Sequence, residues 1–487
     1  MFKHTIFTKA IFEALHNPMR SNIMVNAVAG SGKTTTIIEA LKEIPSTESV
    51  LFLAFNRAIA DEIKSRIADL NLRHVTVATF HSRGFYEIRK RYPNVSINKQ
   101  KMYQYLNTMK KTWTDIEEVE LDAYCGRVER LVNMFRFALP ENQDQILELC
   151  EKHEIELFAN EIDRAKEILK AMLDNRKEID YMDMIYFPAF TTALKQSITT
   201  FKNVIVDECQ DLNAAQHKFL ERLIDPQGGR LIAVGDPFQC IYGFTGADVN
   251  SYGRLKNLLP NTVELPLSYS FRCPVSVIEH AQEIVPHILP SPTAQQGIVR
   301  SGSYTEIQAG DFILCRNTRP LVTLCMKYLS QSRKATIKGA DIGANLVNMI
   351  KKTKAVTQDA LFNKFDAELQ KLIEKMKKAY PHKDPETMPQ VVGLTDRIGA
   401  LKAIALNCKT KQTQEIITVL NQIFTDKTEG IVLSTMHKSK GLEAKNIFII
   451  EPQLCPAPYA KQPWQQEQEQ NLIYVARTRA KEHLRRK

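Results

Sequence analysis

NIMVNAVAGSGKTTTII, residues Asn22 to Ile38, runs from a short apolar strand through a loop of small residues into a helix opened by Lys33 and Thr34. That order of elements is the setting the G-x-x-x-x-G-K-[ST] phosphate loop requires, although Ala27 stands where the general pattern has its first glycine. Backbone N–H groups of Ala29, Gly30, Ser31, Gly32 and the helix start, through Thr35, are then expected to surround phosphates. Lys33 would reach the outer phosphates and the Thr34 hydroxyl would hold Mg²⁺. Taken alone, the same letters also describe a strand-to-helix turn whose glycines serve backbone freedom. A second phosphate-site element decides between the two.

The surroundings are α/β. SVLFLAF, residues 49–55, reads as a buried strand, RAIADEIKSRIADL as an amphipathic helix and HVTVATF as another strand, which predicts a parallel sheet. From about Tyr86 to Asp180 the period turns helical and charged, as in QDQILELCEKHEIELFANEIDRAKEILKAML, and reads as an insertion. Strand signals return at NVIVDECQ, RLIAVGDP, GDFILC, EGIVLSTM and KNIFIIE, interrupted by a Lys-rich helical stretch from about Ile350 to Asp426. The expected fold is two α/β parallel-sheet cores, each with a mostly helical insertion, and the motif resemblance given below implies that both are RecA-like. The divisions are residues 1–86 and 179–262 for the first core, 87–178 for its insertion, 263–349 and 427–487 for the second core, and 350–426 for the second insertion.

At 487 residues the chain has room for three or four folding units, and a net charge of +10 with pI near 9.0 suits a polyanionic partner such as nucleic acid. Nine scattered cysteines without a C-x-x-C pair suggest reduced thiols, and no zinc site is expected. The amino terminus MFKHTIFTKAIFEAL has no apolar signal-like core, and no run approaches a membrane span, so a cytoplasmic, nucleoid-associated location is expected.

The second phosphate-site element is DECQD, Asp207 to Asp211, which follows an apolar strand at the end where parallel sheets deliver ligand-binding residues. Asp207 suits Mg²⁺, and Glu208 suits a general base acting on the attacking water. An acidic cluster at a strand end is commonly a solvated loop. Beside a phosphate loop it acquires a purpose.

In order along the chain, AVAGSGKT, AFNRA, TFHS, VIVDECQDL, VGDPFQCIYGFTGA, SYSFRCP, STMHKSKGLE and NLIYVARTRA resemble the motif series of superfamily 1A helicases of the UvrD/Rep/PcrA type, from Val25 to Ala480. The resemblance implies that Gln239 senses the γ-phosphate, that Arg272 and Arg479 act as cationic fingers, that Phe271 stacks on adenine and that Glu443 accepts from the ribose. It also implies that Tyr242 and Phe244 stack on single-strand bases and that Phe55, Asn56, Thr79, His81 and His437 line the strand. Stacking ignores base identity, which suits a motor that must step over any sequence. Arg477 is an extra cation where the family is usually apolar, and IDYMDMIYFP, Ile179 to Pro188, resembles an acidic-aromatic motif of structural role.

The family's upstream adenine-reading glutamine has no counterpart before Lys33. The second insertion, about 75 residues, is smaller than in the large repair members, so the resemblance implies a reduced, phage- or plasmid-like member. What it implies for activity is an ATP- and Mg²⁺-dependent monomeric DNA helicase or translocase. Such a protein would bind single strands and single-strand/duplex junctions, travel 3′ to 5′ and bind ATP between its two cores. The other reading open from the residues is an ATP-controlled single-strand-binding subunit of a larger complex that does not unwind alone. RNA as the track is a third.

Overall fold

Strands that are apolar along their whole length must be covered on both faces, and in a parallel sheet the helical crossovers do the covering. The computed structural model, which describes residues 4–486 apart from 154, 156, 158–159 and 244–249, shows this twice. The first sheet comprises β1 (Asn22–Ala27), β2 (Val50–Ala54), β3 (Val75–Thr79), β4 (Asn203–Val206), β5 (Arg230–Gly235) and β6 (Thr262–Leu267). Their order is β3-β2-β4-β5-β1-β6, all parallel. The inner strands β2, β4 and β5 are buried throughout, while the edge strands β3 and β6 are mostly half-buried or exposed.

The second sheet comprises β7 (Ile298–Ser301), β8 (Phe312–Cys315), β9 (Ala335–Lys338), β10 (Phe424–Thr425), β11 (Ile431–Thr435), β12 (Ala444–Ile449) and β13 (Ala480–Arg486). They run parallel in the order β7-β13-β12-β8-β11-β9-β10. The chain accordingly forms two compact units, Met1–Ala27 with Gly32–Leu267, and Ser268–Lys487 together with the four loop residues Val28–Ser31. No helix among the described residues is long and apolar enough to cross a membrane.

Both sheets carry a helical insertion, and the two are attached by different physics. In the first unit the helices Lys101–Met109, Glu118–Ala138, Gln143–Lys152 and Glu161–Asp174 gather a core of their own around Trp113, Val128, Leu131 and Ile168. The attachment adds buried ion pairs to an apolar seam in which Leu169 and Leu173 pack against the cluster of Ile88, Ile179 and Phe187. The buried Lys101 Nζ donates to Met172 O and to Asp183 Oδ2, each at 2.8 Å. The equally buried Arg136 donates to Asp183 Oδ1 at 2.9 Å and to Asp180. The acidic-aromatic motif at Ile179–Pro188 therefore serves as the clasp of the insertion.

In the second unit the helices Ala340–Thr353, Gln358–Ala379, Pro389–Ala405 and Thr413–Ile423 share one apolar core with the sheet. Leu346, Phe365, Leu401 and Leu420 pack with Leu321, Cys325, Ile337 and Leu433. Asp396 adds a polar tie by accepting the first amides of the helix Thr318–Ser330, from Thr318 N at 2.9 Å and Arg319 N at 3.0 Å. Its helix must come close to do so. A Cβ on Gly399 would lie 2.5 Å from the Arg319 side chain.

Candidate active site

Between β1 and the helix Lys33–Leu41 the backbone takes two left-handed turns, φ +72° at Gly30 and φ +79° at Gly32, conformations a side chain would strain. Ser31 N–H donates to Val28 O at 3.2 Å, closing the turn. Ser31 Oγ is buried without a hydrogen-bond partner among the described residues, and its hydroxyl suits an oxyanion. The first amides of the helix have no intrahelical acceptor and carry the positive end of its dipole. Thr35 is exposed at that end.

Beside β1, the ends of β4 and β5 bring the acids. The Thr34 hydroxyl donates to Asp207 Oδ2 at 3.2 Å, and Lys33 Nζ lies 3.9 Å from Glu208 Oε1. Thr34 and Asp207 are hard oxygen donors on one spot. They fit Mg²⁺, which takes few protein ligands and keeps several waters. Burial, and then the neighbouring Glu208, push the Asp207 carboxyl up to about 6, with Lys33 pulling the other way. The like charge of Glu208 and the burial of Asp207 both favour a nearby cation.

Glu208 itself is held in the left-handed region, φ +53°, a strained position for a non-glycine residue. Its N–H donates to Asp207 Oδ1 at 2.9 Å, and Gln210 Nε2 donates to its Oε2 at 2.5 Å. Gln210 then reaches across to β5, its Oε1 accepting Asp236 N–H at 3.0 Å. The buried Asp236, whose carboxyl is raised by burial, accepts Gln239 Nε2 at 2.6 Å. This gives an unbroken polar line from Glu208 to Gln239. Gly235 makes it possible, because a Cβ there would meet Gln210 Oε1 at 2.4 Å and Cys209 Sγ at 2.7 Å.

Three residues beyond Gln239, Tyr242 lies nearly parallel to Phe55, interplanar angle 16° and ring centroids 6.4 Å apart. Phe55, just past the end of β2, is 45% exposed. Asn56 caps the helix Arg57–Asp69 by accepting Ile59 N–H at 2.9 Å, and Thr79 caps Phe80–Arg91 by accepting Ser82 N–H at 3.2 Å. Both side chains thus have local work at helix starts. His81 is exposed, and Phe244 lies outside the described residues.

In the second unit, Phe271 is 47% exposed and its N–H donates to Gly30 O at 2.8 Å, while Ala29 N–H donates to the Tyr474 hydroxyl at 2.9 Å. Arg272 Nε donates to Glu443 Oε2 at 2.7 Å. Arg479 is buried, its Nε donating to Val475 O at 2.8 Å. Arg477 donates to His280 O and Glu283 Oε2, each at 2.8 Å, which gives this extra cation a structural post.

His437 lines a cavity of about 220 Å³ with Arg316, Asn317, Thr318, Thr435 and Tyr459. Burial, and then the Arg316 cation, lower its pKa to about 4, so the ring is neutral at pH 7. The motif analysis did not single out Arg316, Asn317 and Thr318. Their signal is positional, since they leave the end of β8 as Asp207 and Glu208 leave the end of β4.

A phosphate loop after β1, an acid pair at the end of β4, one strand removed, and a glutamine relay across β5, set on a parallel sheet, define a RecA-like phosphate-loop protein. Residues 8–260 match the UvrD/REP helicase N-terminal domain and residues 430–485 the UvrD-like helicase C-terminal domain. The chain belongs to the UvrD/REP helicase family. It is 24% identical over 296 residues to DNA helicase II of Escherichia coli K12, covering 56% of this chain and 39% of that protein. It is 23% identical over 287 residues to the ATP-dependent DNA helicase PcrA of Staphylococcus epidermidis, covering 54% and 38%. Against the F-box DNA helicase protein 1 of Schizosaccharomyces pombe it is 22% identical over 526 residues, covering 98% of this chain and 56% of that protein. The chain thus spans well under two thirds of each of these relatives.

Proposed function

We propose that this protein is an ATP-dependent motor on single-stranded DNA, travelling 3′ to 5′ and separating duplexes at single-strand/duplex junctions. The observation that carries the reading is the polar line Glu208–Gln210–Asp236–Gln239, which starts at the hydrolytic acid and ends three residues from the Phe55–Tyr242 pair. Hydrogen bonds lead from the nucleotide side to Gln239, and three residues of chain lead from there to the base-stacking pair.

Lys33 binds the outer phosphates of ATP, and Thr34 with Asp207 would hold Mg²⁺, which supplies charge neutralisation on the transferring group. Glu208 takes the proton of the attacking water, and Gln210 fixes the carboxylate that does so. Gln239 registers the γ-phosphate and passes its change of partner to the segment bearing Tyr242. The separation of the Phe55 and Tyr242 rings is near twice the ~3.4 Å rise of stacked bases, so the pair suits one base held between two faces. From the second unit, the resemblance assigns Phe271 to the adenine, Glu443 to the ribose, Arg272 and Arg479 to charge developing on the γ-phosphate, and His437 to the strand. His437 then contributes as a neutral hydrogen-bonding ring. Asn56, Thr79, His81 and Phe244 belong to the same strand path, and a monomer is the working form.

The test is ATP turnover and oligonucleotide binding by Lys33→Ala. Turnover is expected to disappear while affinity for a single strand persists. Turnover at the wild-type rate contradicts the assignment of the phosphate site.

A further inference from the structure

The polar line through Gln210 is one route out of the DECQD turn. A second leaves the same turn on its other side, through residues in none of the recognised motifs. Ser251 opens the helix Ser251–Leu258 and is fully buried. Its hydroxyl donates to Cys209 O at 2.7 Å. Cys209 directly follows Glu208, whose left-handed backbone fixes where its carboxylate points. The Ser251 hydroxyl also lies 2.8 Å from Nε2 of His217, a buried residue on the helix Ala214–Leu223 just after the turn. With the Ser251 proton committed to Cys209 O, the bond from His217 is an Nε2–H donation, which fixes the tautomer.

We propose that Ser251 and His217 are positioning residues that carry the effect of a bound strand to Glu208. Ser251 lies nine residues after Tyr242 in the chain, so the covalent path from that ring to the start of the helix is short. A serine hydroxyl anchored by a histidine transmits a displacement there to the Cys209 carbonyl, and the Glu208–Cys209 peptide turns with it. The helix and the turn also share an apolar core, in which Tyr252 and Leu255 cluster with Cys209 and Leu212, and the Ser251 hydrogen bond adds a directional tie to it. The Gln210 route holds the Glu208 side chain and the Ser251 route holds its backbone. The resting turn keeps its other bonds, Glu208 N–H to Asp207 Oδ1, Asp211 N–H to Glu208 O and Gln210 to the Glu208 carboxylate, so loss of the Ser251 bond spares the resting geometry and removes its response to the strand.

This inference rests on the motor reading, and the test separates the two. ATP turnover by the full chain is measured with and without an oligothymidylate. Ser251→Ala is expected to keep the unstimulated rate and the KM for ATP within about twofold, and to keep oligonucleotide affinity by fluorescence anisotropy. Its strand-stimulated kcat should fall about tenfold, and Ser251→Thr, which retains the hydroxyl, should restore most of it. His217→Gln, judged folded by circular dichroism, should show the same selective loss at about threefold, which keeps the test decisive if Ser251→Ala does not fold. Equal loss of both rates, or full stimulation in Ser251→Ala or His217→Gln, overturns the positioning role. Absence of turnover in the wild type, with and without strands, overturns the motor reading itself.

Discussion

Each sheet delivers a buried ionic cluster at its strand ends, and the two clusters are balanced differently. In the second unit Glu469 is finished. Arg316 donates to both its oxygens at 2.8 to 3.1 Å, Ala457 N–H and Cys455 Sγ add bonds at 3.0 and 3.1 Å, and Arg316 Nη2 also donates to the Tyr459 hydroxyl at 2.6 Å. Burial pushes the Glu469 carboxyl upward, but Arg316 outweighs it and holds the acid below its ordinary value. In the first unit Lys33 Nζ lies 3.9 Å from Glu208, and burial with the neighbouring Glu208 pushes the Asp207 carboxyl up to about 6. One acid is held down by its arginine and the other is held up by burial and a like charge, and groups perturbed in the second way gather at functional sites.

The contrast can be broken in order of effect. Glu208→Gln is expected to lower ATP turnover by ~100-fold or more, the usual worth of a positioned general base, with the melting temperature unchanged or raised because a buried like charge is gone. A folded, fully active Glu208→Gln variant removes the acid from the mechanism. Glu469→Ala should do the reverse in kind. It leaves Arg316 buried and unpaired, and urea unfolding should report a loss of roughly 3 to 5 kcal/mol. A loss below about 1 kcal/mol would show that the second cluster is hydrated and no contrast exists.

The third prediction concerns pH. The folded pKa of Asp207 is raised from 3.8 to about 6, so the folded, metal-free protein binds this proton more tightly than the unfolded chain does. The associated stability is present below about pH 4 and is lost as pH rises through 6. The span is on the order of 3 kcal/mol. Comparing wild type with Asp207→Asn isolates it, and saturating Mg²⁺, which needs the ionised carboxylate, should abolish it. Parallel stability–pH curves for the two proteins would contradict the raised value.

The smallest effects lie on the strand side. Phe55→Ala should weaken single-strand binding by about tenfold, within the ~1 to 3 kcal/mol that stacking on one base provides. His437, lowered to about 4, adds no charge between pH 5.5 and 8, so it should lend binding no pH dependence in that range. A His437-dependent rise in affinity as pH falls through 6.5 would place a protonated ring against the phosphates.

Much of this was legible in the sequence because it is local. Gly30, Gly32, Lys33 and Thr34 are neighbours in a loop whose backbone demands can be read from residue type, and the apolar runs of β2, β4 and β5 allow only a covered parallel sheet. Asp207 and Glu208 announce themselves by following such a run. What escaped was pairing across distance. Arg316 and Glu469 are 153 residues apart, and nothing in either segment names the other. The same holds for Asp396, which reads as one more acid in a charged helix until it is seen capping Thr318 and Arg319. Gln210 sits within a recognised motif, yet its bridging role depends on β4 and β5 being neighbours. The Ser251–His217 pair has no pattern at all, since serine and histidine are ordinary at a helix start and on a helix face.

The most direct test of the motor reading is strand displacement with ATP and Mg²⁺ on two matched duplexes, one with a 3′ single-stranded tail and one with a 5′ tail. Displacement from the 3′-tailed duplex alone is the predicted result. Failure on both duplexes with turnover still stimulated by single strands would contradict unwinding by this chain alone, and would make it an ATP-controlled strand-binding subunit.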